Sequence, residues 1–132
     1  MSGTTTGFVV VTTDGTTRVV SPPPADAPDG ALLELLYREL GVTIVEVVHL
    51  DGLLFADGTG DGIDMWCDEE GMLNDSPVND LAAAIAMESG LTHQPYFGNL
   101  LFARTDEKGE AIALTAQQVE WLLVLGAPRL AI

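Results

Sequence analysis

The amino-acid sequence predicts an α+β domain: a largely antiparallel sheet with about three helices packed on it, in the order ββαβββαββα. Three observations carry that reading. Apolar, β-branched runs come in pairs, beginning with Phe8–Val11 and Thr16–Val20 on either side of Asp14-Gly15, a strong hairpin signal. Segments with helical apolar spacing are few, and strand runs do not alternate with them one for one. The chain has 132 residues, 47% of them hydrophobic, which fits one domain over 1–132 with a core of its own.

Each element follows in order. Residues 1–6 are small and polar and are expected to fray. After the first hairpin, Ser21-Pro22-Pro23-Pro24 ends the second strand, because proline cannot donate to a ladder; 21–28 is a stiff connector. Asp29 is placed to cap a helix whose apolar positions are Leu32, Leu33, Leu36, Tyr37 and Leu40, with Gly41 as its stop. Val42–Leu50 reads as a strand, and Leu53–Ala56 and Ile63–Cys67 as two more, joined by the glycine-rich loop Asp57–Gly62. Glu69-Glu70-Gly71 is a turn. Val78–Ser89 is a helix with Val78, Leu81, Ala82 and Ile85 on its apolar face. Leu100–Ala103 is a strand to which Ala111–Leu114 pairs back. Thr115 and Gln118 match a capping box for the last helix, Val119–Leu125. The helices are expected on one face of the sheet.

Composition narrows the classes of function. Cys67 is the sole cysteine, so no intrachain disulfide and no cysteine-cluster metal site is expected. A free thiol fits a reducing cytoplasm. Met1–Gly7 lacks the basic residues of a signal-peptide n-region, and no apolar run approaches the roughly 18 residues of a membrane helix. Twenty acidic residues face five basic ones, Arg18, Arg38, Arg104, Lys108 and Arg129, for a net charge of −15. No Lys or Arg lies between Arg38 and Arg104. This sign excludes direct binding of nucleic acid and of anionic membranes. Basic proteins and cations are the charged partners that remain.

The run Trp66-Cys67-Asp68-Glu69-Glu70-Gly71-Met72-Leu73-Asn74, followed by Pro77 and Asn79, resembles the signature of the domain-of-unknown-function 3846 family. Gly98-Asn99-Leu100-Leu101-Phe102 and Leu114-Thr115 with Gln117 and Gln118 are similar to its closing strand and final helix. The likeness covers most of the chain, with the Asp57–Gly62 loop as an insertion and a longer proline-rich connector. It implies the same α+β fold and a phage, plasmid or actinobacterial setting. It implies no activity.

Four constellations are candidates for chemistry or binding. Asp57, Thr59, Asp61, Ile63 (through its carbonyl) and Asp68 occupy positions 1, 3, 5, 7 and 12 of a calcium-type loop, with Gly62 at position 6. Position 12 is Asp where Glu is usual and the flanks are strands, so a solvated hairpin loop is the preferred reading and no metal is favoured. Asp68-Glu69-Glu70-Gly71 offers adjacent carboxylates, read as a solvated turn. His49 and His93 stand outside any recognisable metal or catalytic motif. His93, Gln94, Tyr96, Phe97 and Asn99 outline a small-molecule pocket. The last helix is apolar nearly all round, so Trp121, Leu122, Val124 and Leu125 are read either as central packing or as a self-association face.

These observations lead to one expectation and two alternatives. The expected function is that of a non-enzymatic acidic accessory protein in a host cytoplasm. It binds a host protein with a basic surface through Glu46, Asp51, Asp57, Asp61, Asp64, Asp68, Glu69, Glu70, Asp75 and Asp80. Imitation of DNA by this carboxylate array is one form of that binding. The first alternative is an oligomeric sponge for a small molecule. The second is a metal-dependent enzyme with a site among His49, Asp57, Asp61 and Asp64. No cofactor is expected.

Overall fold

The computed structural model describes residues 6–24, 26–28, 30–41, 45–50, 63–68, 76–88, 96–106 and 110–126. Strands β1 (Phe8–Val11) and β2 (Thr17–Val20) form the expected antiparallel hairpin, with Val11 opposite Thr17. The Thr12 N–H donates to the Thr16 carbonyl at 2.9 Å, and the Gly15 N–H to the Thr12 carbonyl at 3.1 Å. Gly15 sits at φ 87°, a left-handed conformation that costs glycine little. Asp14 Oδ1 accepts from the Thr12 hydroxyl, from the Thr16 hydroxyl at 2.8 Å and from the Thr16 N–H at 3.1 Å. Those hydrogen bonds, the Thr12 hydroxyl first, hold the Asp14 carboxyl below its ordinary pKa.

Helix α1 (Ala31–Leu40) follows the proline-rich connector. Its N-cap is Gly30, and Asp29, the expected capping residue, lies outside the described residues. The helix stops as expected at Gly41, φ 70°, whose N–H donates to the Tyr37 carbonyl at 2.9 Å. The buried stripe is Leu35, Leu36 and Leu40, flanked by Leu32. Leu33 and Tyr37 are 44% and 38% exposed, so the stripe is rotated from the one the sequence predicts. Leucine at 32, 33, 35, 36 and 40 gives two overlapping helical stripes, and packing against the sheet selects one.

Strands β3 (Val45–Leu50) and β4 (Ile63–Asp68) pair antiparallel from Val45 opposite Asp68 to Leu50 opposite Ile63. The strand expected at Leu53–Ala56 lies outside the described residues. Helix α2 spans Asp80–Glu88, β5 Leu100–Thr105, β6 Ala111–Ile112 and α3 Ala116–Gly126. Val78, expected inside α2, precedes it and bridges to Phe97 instead. The sheet order is β2-β1-β5-β4-β3, with β6 paired to β5, and all these pairings are antiparallel. The α+β class with an antiparallel sheet and three helices is therefore the observed one among the described residues.

The helices do not share one face. Leu35, Leu36 and Leu40 of α1 pack with Phe8, Val10, Leu101 and Ala103. Ala82, Ile85 and Ala86 of α2 and Val119 and Leu122 of α3 pack on the other side, with Val9, Val11, Ile63, Met65, Leu100 and Phe102. The expectation of one covered face is corrected to three layers, helix–sheet–helices. The cause is in the central strands. Phe8-Val9-Val10-Val11 and Leu100-Leu101-Phe102-Ala103 are each buried at every residue. Successive strand residues point to opposite faces, so both faces had to be covered. Fully burying a leucine or phenylalanine here contributes roughly 1.5–3 kcal/mol relative to exposure.

Two buried polar side chains fix the starts of α2 and α3, and the first of them also bonds β1. Asn79 is fully buried. Its Nδ2 donates to the Val11 carbonyl at 3.1 Å and the Gly98 carbonyl at 2.8 Å, while its Oδ1 accepts the Ala82 N–H at 3.0 Å, capping α2. Gln118 is also fully buried. Its Oε1 accepts the Thr115 N–H at 2.8 Å and its own N–H donates to Thr115 Oγ1 at 3.2 Å. This is the reciprocal capping box that the sequence predicts at the start of α3.

Candidate functional site

The α1 face of the sheet carries a polar corner. By alternation, β3 places Val45, Val47 and His49 on that face, β4 places Asp64, Trp66 and Asp68, and β5 places Leu101, Ala103 and Thr105. His49 stands opposite Asp64, and Asp64 opposite Ala103. His49 Nδ1 lies 2.5 Å from Asp64 Oδ1, and the Thr105 hydroxyl donates to Asp64 Oδ2. Three adjacent strands therefore supply one connected set, although its members are far apart in sequence.

Burial within the set is uneven. The Asp64 side chain is 3% exposed, the His49 side chain 68%. A buried carboxylate requires partners for both oxygens, and here each oxygen has one. A carboxylate accepts, so the Nδ1–H of His49 is the donor. In the neutral ring this leaves the lone pair on Nε2, at the exposed side of the imidazole. Trp66, two residues along β4 on the same face, has a buried Nε1 that finds no hydrogen-bond partner among the described residues.

The opposite face carries Cys67, beside Glu46. The Cys67 thiol lies 3.7 Å from Glu46 Oε1 and 3.9 Å from the Glu46 carbonyl. Burial, and then the Glu46 carboxylate, push its pKa up to about 12. The thiolate is the nucleophilic form, so Cys67 is an inert core residue.

The residues singled out from sequence fall as follows. Ile63 and Asp68 are the two ends of β4. An extended strand separates them by about 16 Å, whereas calcium ligands lie about 2.4 Å from one ion. They cannot serve as positions 7 and 12 of one calcium loop. Asp57, Thr59 and Asp61 lie outside the described residues. Of the acidic face, Glu46 and Asp80 are exposed, while Asp64 and Asp68 are buried. Asp64 and Asp68 are therefore corrected from surface carboxylates to interior ones. Asp51, Glu69, Glu70 and Asp75 lie outside the described residues.

Of the pocket outline, Tyr96 is a core residue, 5% exposed, and its carbonyl accepts the Asn79 N–H at 2.7 Å. Asn99 Oδ1 accepts the Thr13 N–H at 3.2 Å, and Phe97 bridges Val78. These three hold a loop in place; His93 and Gln94 lie outside the described residues. On α3, Leu122 is 1% exposed and Trp121 and Leu123 pack against the same core, leaving Val124 exposed at 65%. The side chain of Leu125 is not among those described. Central packing thus accounts for Trp121 and Leu122.

Sequence reasoning placed His49 and Asp64 in one candidate set but missed Thr105. The signal for the first pair is arithmetic: in a hairpin whose strands meet at Leu50 and Ile63, positions 49 and 64 are cross-strand neighbours. Nothing local to Thr105 announces it. Among the described residues no group of three or more His, Cys, Asp or Glu side chains is arranged to hold a metal ion, and no helix is long and apolar enough to cross a membrane.

The segments that carry the family resemblance have clear structural roles. Trp66-Cys67-Asp68 ends β4, Asn79 caps α2 and donates to the Val11 and Gly98 carbonyls, Gly98-Asn99 leads into β5, and Thr115 with Gln118 starts α3. No curated protein and no solved structure matches the chain. The model of the family described as "Domain of unknown function (DUF3846)" matches residues 6–125, and the chain belongs to that family.

Proposed function

We propose that this protein is an acidic accessory protein that binds a host protein with a basic surface, in the cytoplasm and in a phage or mobile-element setting. One observation carries the reading: its negative charge is not cancelled by its own bases. Arg18 and Arg38 both reach Glu39, at 2.6 and 3.6 Å, and Arg104 Nε donates to the Ala113 carbonyl at 3.1 Å. Meanwhile Asp14, Asp26, Glu34, Glu46, Asp80, Glu110 and Glu120 are exposed. With a net charge of −15, the field over the surface draws in cationic partners and speeds their encounter.

The exposed acids sit on both outer layers, Glu34 on α1 and Asp80 and Glu120 on α2 and α3. That distribution favours a broad basic partner over a single narrow contact. Imitation of a DNA backbone is the special case in which the partner is a DNA-binding protein. Immobilised chain exposed to a host lysate tests the proposal. The expected result is a bound protein that elutes as salt rises and that added duplex DNA displaces. The combined Glu34→Gln, Asp80→Asn and Glu120→Gln variant should weaken that retention. Retention indifferent to salt and to these changes would overturn the reading.

A further inference from the structure

The corner formed by His49, Asp64 and Thr105 has a geometry that an acidic surface does not require. An exposed carboxylate on β4 would add to the charge, yet Asp64 is interior, and its two oxygens receive His49 Nδ1 and the Thr105 hydroxyl. Burying a carboxylate is unfavourable until its partners offset the lost hydration, and an apolar residue facing Ala103 would avoid that cost. What the carboxylate adds is control over the imidazole. It fixes the ring's orientation and puts the neutral ring's proton on Nδ1, so Nε2 keeps a lone pair at the solvent side.

This is the base-and-orienter half of a general acid–base arrangement. The third member of a catalytic triad, a nucleophilic side chain, is not part of the described set, since Cys67 faces the opposite side of the sheet beside Glu46. The nucleophile must then come from outside the set, as water or as a substrate hydroxyl. Charge narrows the substrate further. With a net charge of −15, the field of the whole chain disfavours the approach of an anionic molecule. The remaining class is uncharged or cationic.

We propose that His49 is the acid–base residue of a proton-transfer site for small uncharged or cationic acyl compounds, with Asp64 and Thr105 as its positioning residues. With an ester, Nε2 takes a proton from water as the water oxygen bonds to the acyl carbon. Asp64 stabilises the imidazolium that results. Nε2 then returns the proton to the departing alkoxide as the acyl C–O bond breaks. One water and one ester give one acid and one alcohol, and His49 ends neutral. This site is independent of the acidic-surface reading, and its test needs no protein partner.

The test uses the whole chain and p-nitrophenyl acetate as an uncharged probe. The chain is expected to cleave the ester at least about tenfold faster than the His49→Gln variant, the lower end of what a placed general base contributes. Glutamine keeps an N–H donor for the buried Asp64 Oδ1, and the circular dichroism of the variant checks that its fold is intact. Equal rates for the chain and His49→Gln would overturn the proposal.

Asp64 is tested by the nitrogen-15 shifts of the His49 ring, which a merely structural role would not move. In the parent chain Nδ1 should carry the proton. In Asp64→Asn the Thr105 hydroxyl holds the amide oxygen, so the amide NH₂ faces Nδ1 and drives the proton to Nε2. The lone pair and the rate should be lost together. Thr105→Val, which leaves the Asp64 carboxylate as the acceptor at Nδ1, should keep the proton on Nδ1 and lower the rate less than Asp64→Asn does. A protonated Nε2 in the parent chain, or an unchanged rate in Asp64→Asn, would overturn the assignment.

Discussion

Cys67 and Glu46 show how one residue's environment decides its chemistry. A lone cysteine near the centre of a sequence invites a reactive reading, but this thiol is 2% exposed and faces a carboxylate. Burial and the Glu46 charge favour the neutral thiol and push its pKa up to about 12. A group whose folded pKa is raised contributes stability below its unfolded value, near ~8.5 for cysteine. That contribution is lost as pH rises toward 12. Native protein at pH 8 is therefore expected to resist an aromatic disulfide reagent and to react at once in denaturant. Stoichiometric labelling within seconds in the native state would refute the inert assignment. Asn79 is the comparable case among amides. Sequence reasoning put Asn79 inside a helix beginning at Val78; the structure makes it the cap of α2, and the same side chain bonds β1 and the Gly98 carbonyl before β5. Neither long-range bond has a local signal.

At the scale of elements, turn and cap chemistry was legible because it is local. The Asp14-Gly15 hairpin, the stop at Gly41 and the Thr115–Gln118 box are all where sequence reasoning put them. What failed was choice among near-equal patterns. The leucines of α1 support two stripes, and the buried one is set by the sheet beneath it. The Asp57–Asp68 spacing satisfies a calcium pattern only while the chain is read as a loop, and β4 is extended through its second half. The capping box gives a prediction at this scale. Thr115→Ala removes the acceptor for the Gln118 N–H and should lower unfolding stability by about 1 kcal/mol in a urea titration. Thr115→Ser keeps the acceptor and should cost much less. Equal losses would show that the methyl group, not the hydroxyl, is what the site uses.

At the scale of the molecule, the three-layer arrangement was written in the sequence as unbroken apolar runs in β1 and β5, which an alternating, one-faced strand would not show. Layering explains how a chain with so many acids still has a full core: among the described residues Asp14, Asp26, Glu34, Glu46, Asp80, Glu110 and Glu120 are exposed, while Asp64 and Asp68 are the buried carboxylates. It also leaves the charge uncompensated. Fifteen net negative charges on a small domain repel one another in the folded state more than in the expanded chain. At 10 mM salt the screening length is about 30 Å, comparable to the molecule, and at 0.1 M it is about 10 Å. The described ion pairs, Arg18–Glu39 and Arg38–Glu39, have largely exposed arginines, and their loss on screening is small. Repulsion therefore dominates the salt response. Raising sodium chloride from 10 mM to 0.5 M should raise the melting temperature by roughly 5 °C, the counterpart of about 1 kcal/mol for a domain of this size. A melting temperature that falls with salt would mean that attractive pairs outweigh the repulsion, and with it the surplus charge proposed to draw in a basic partner would lose its footing.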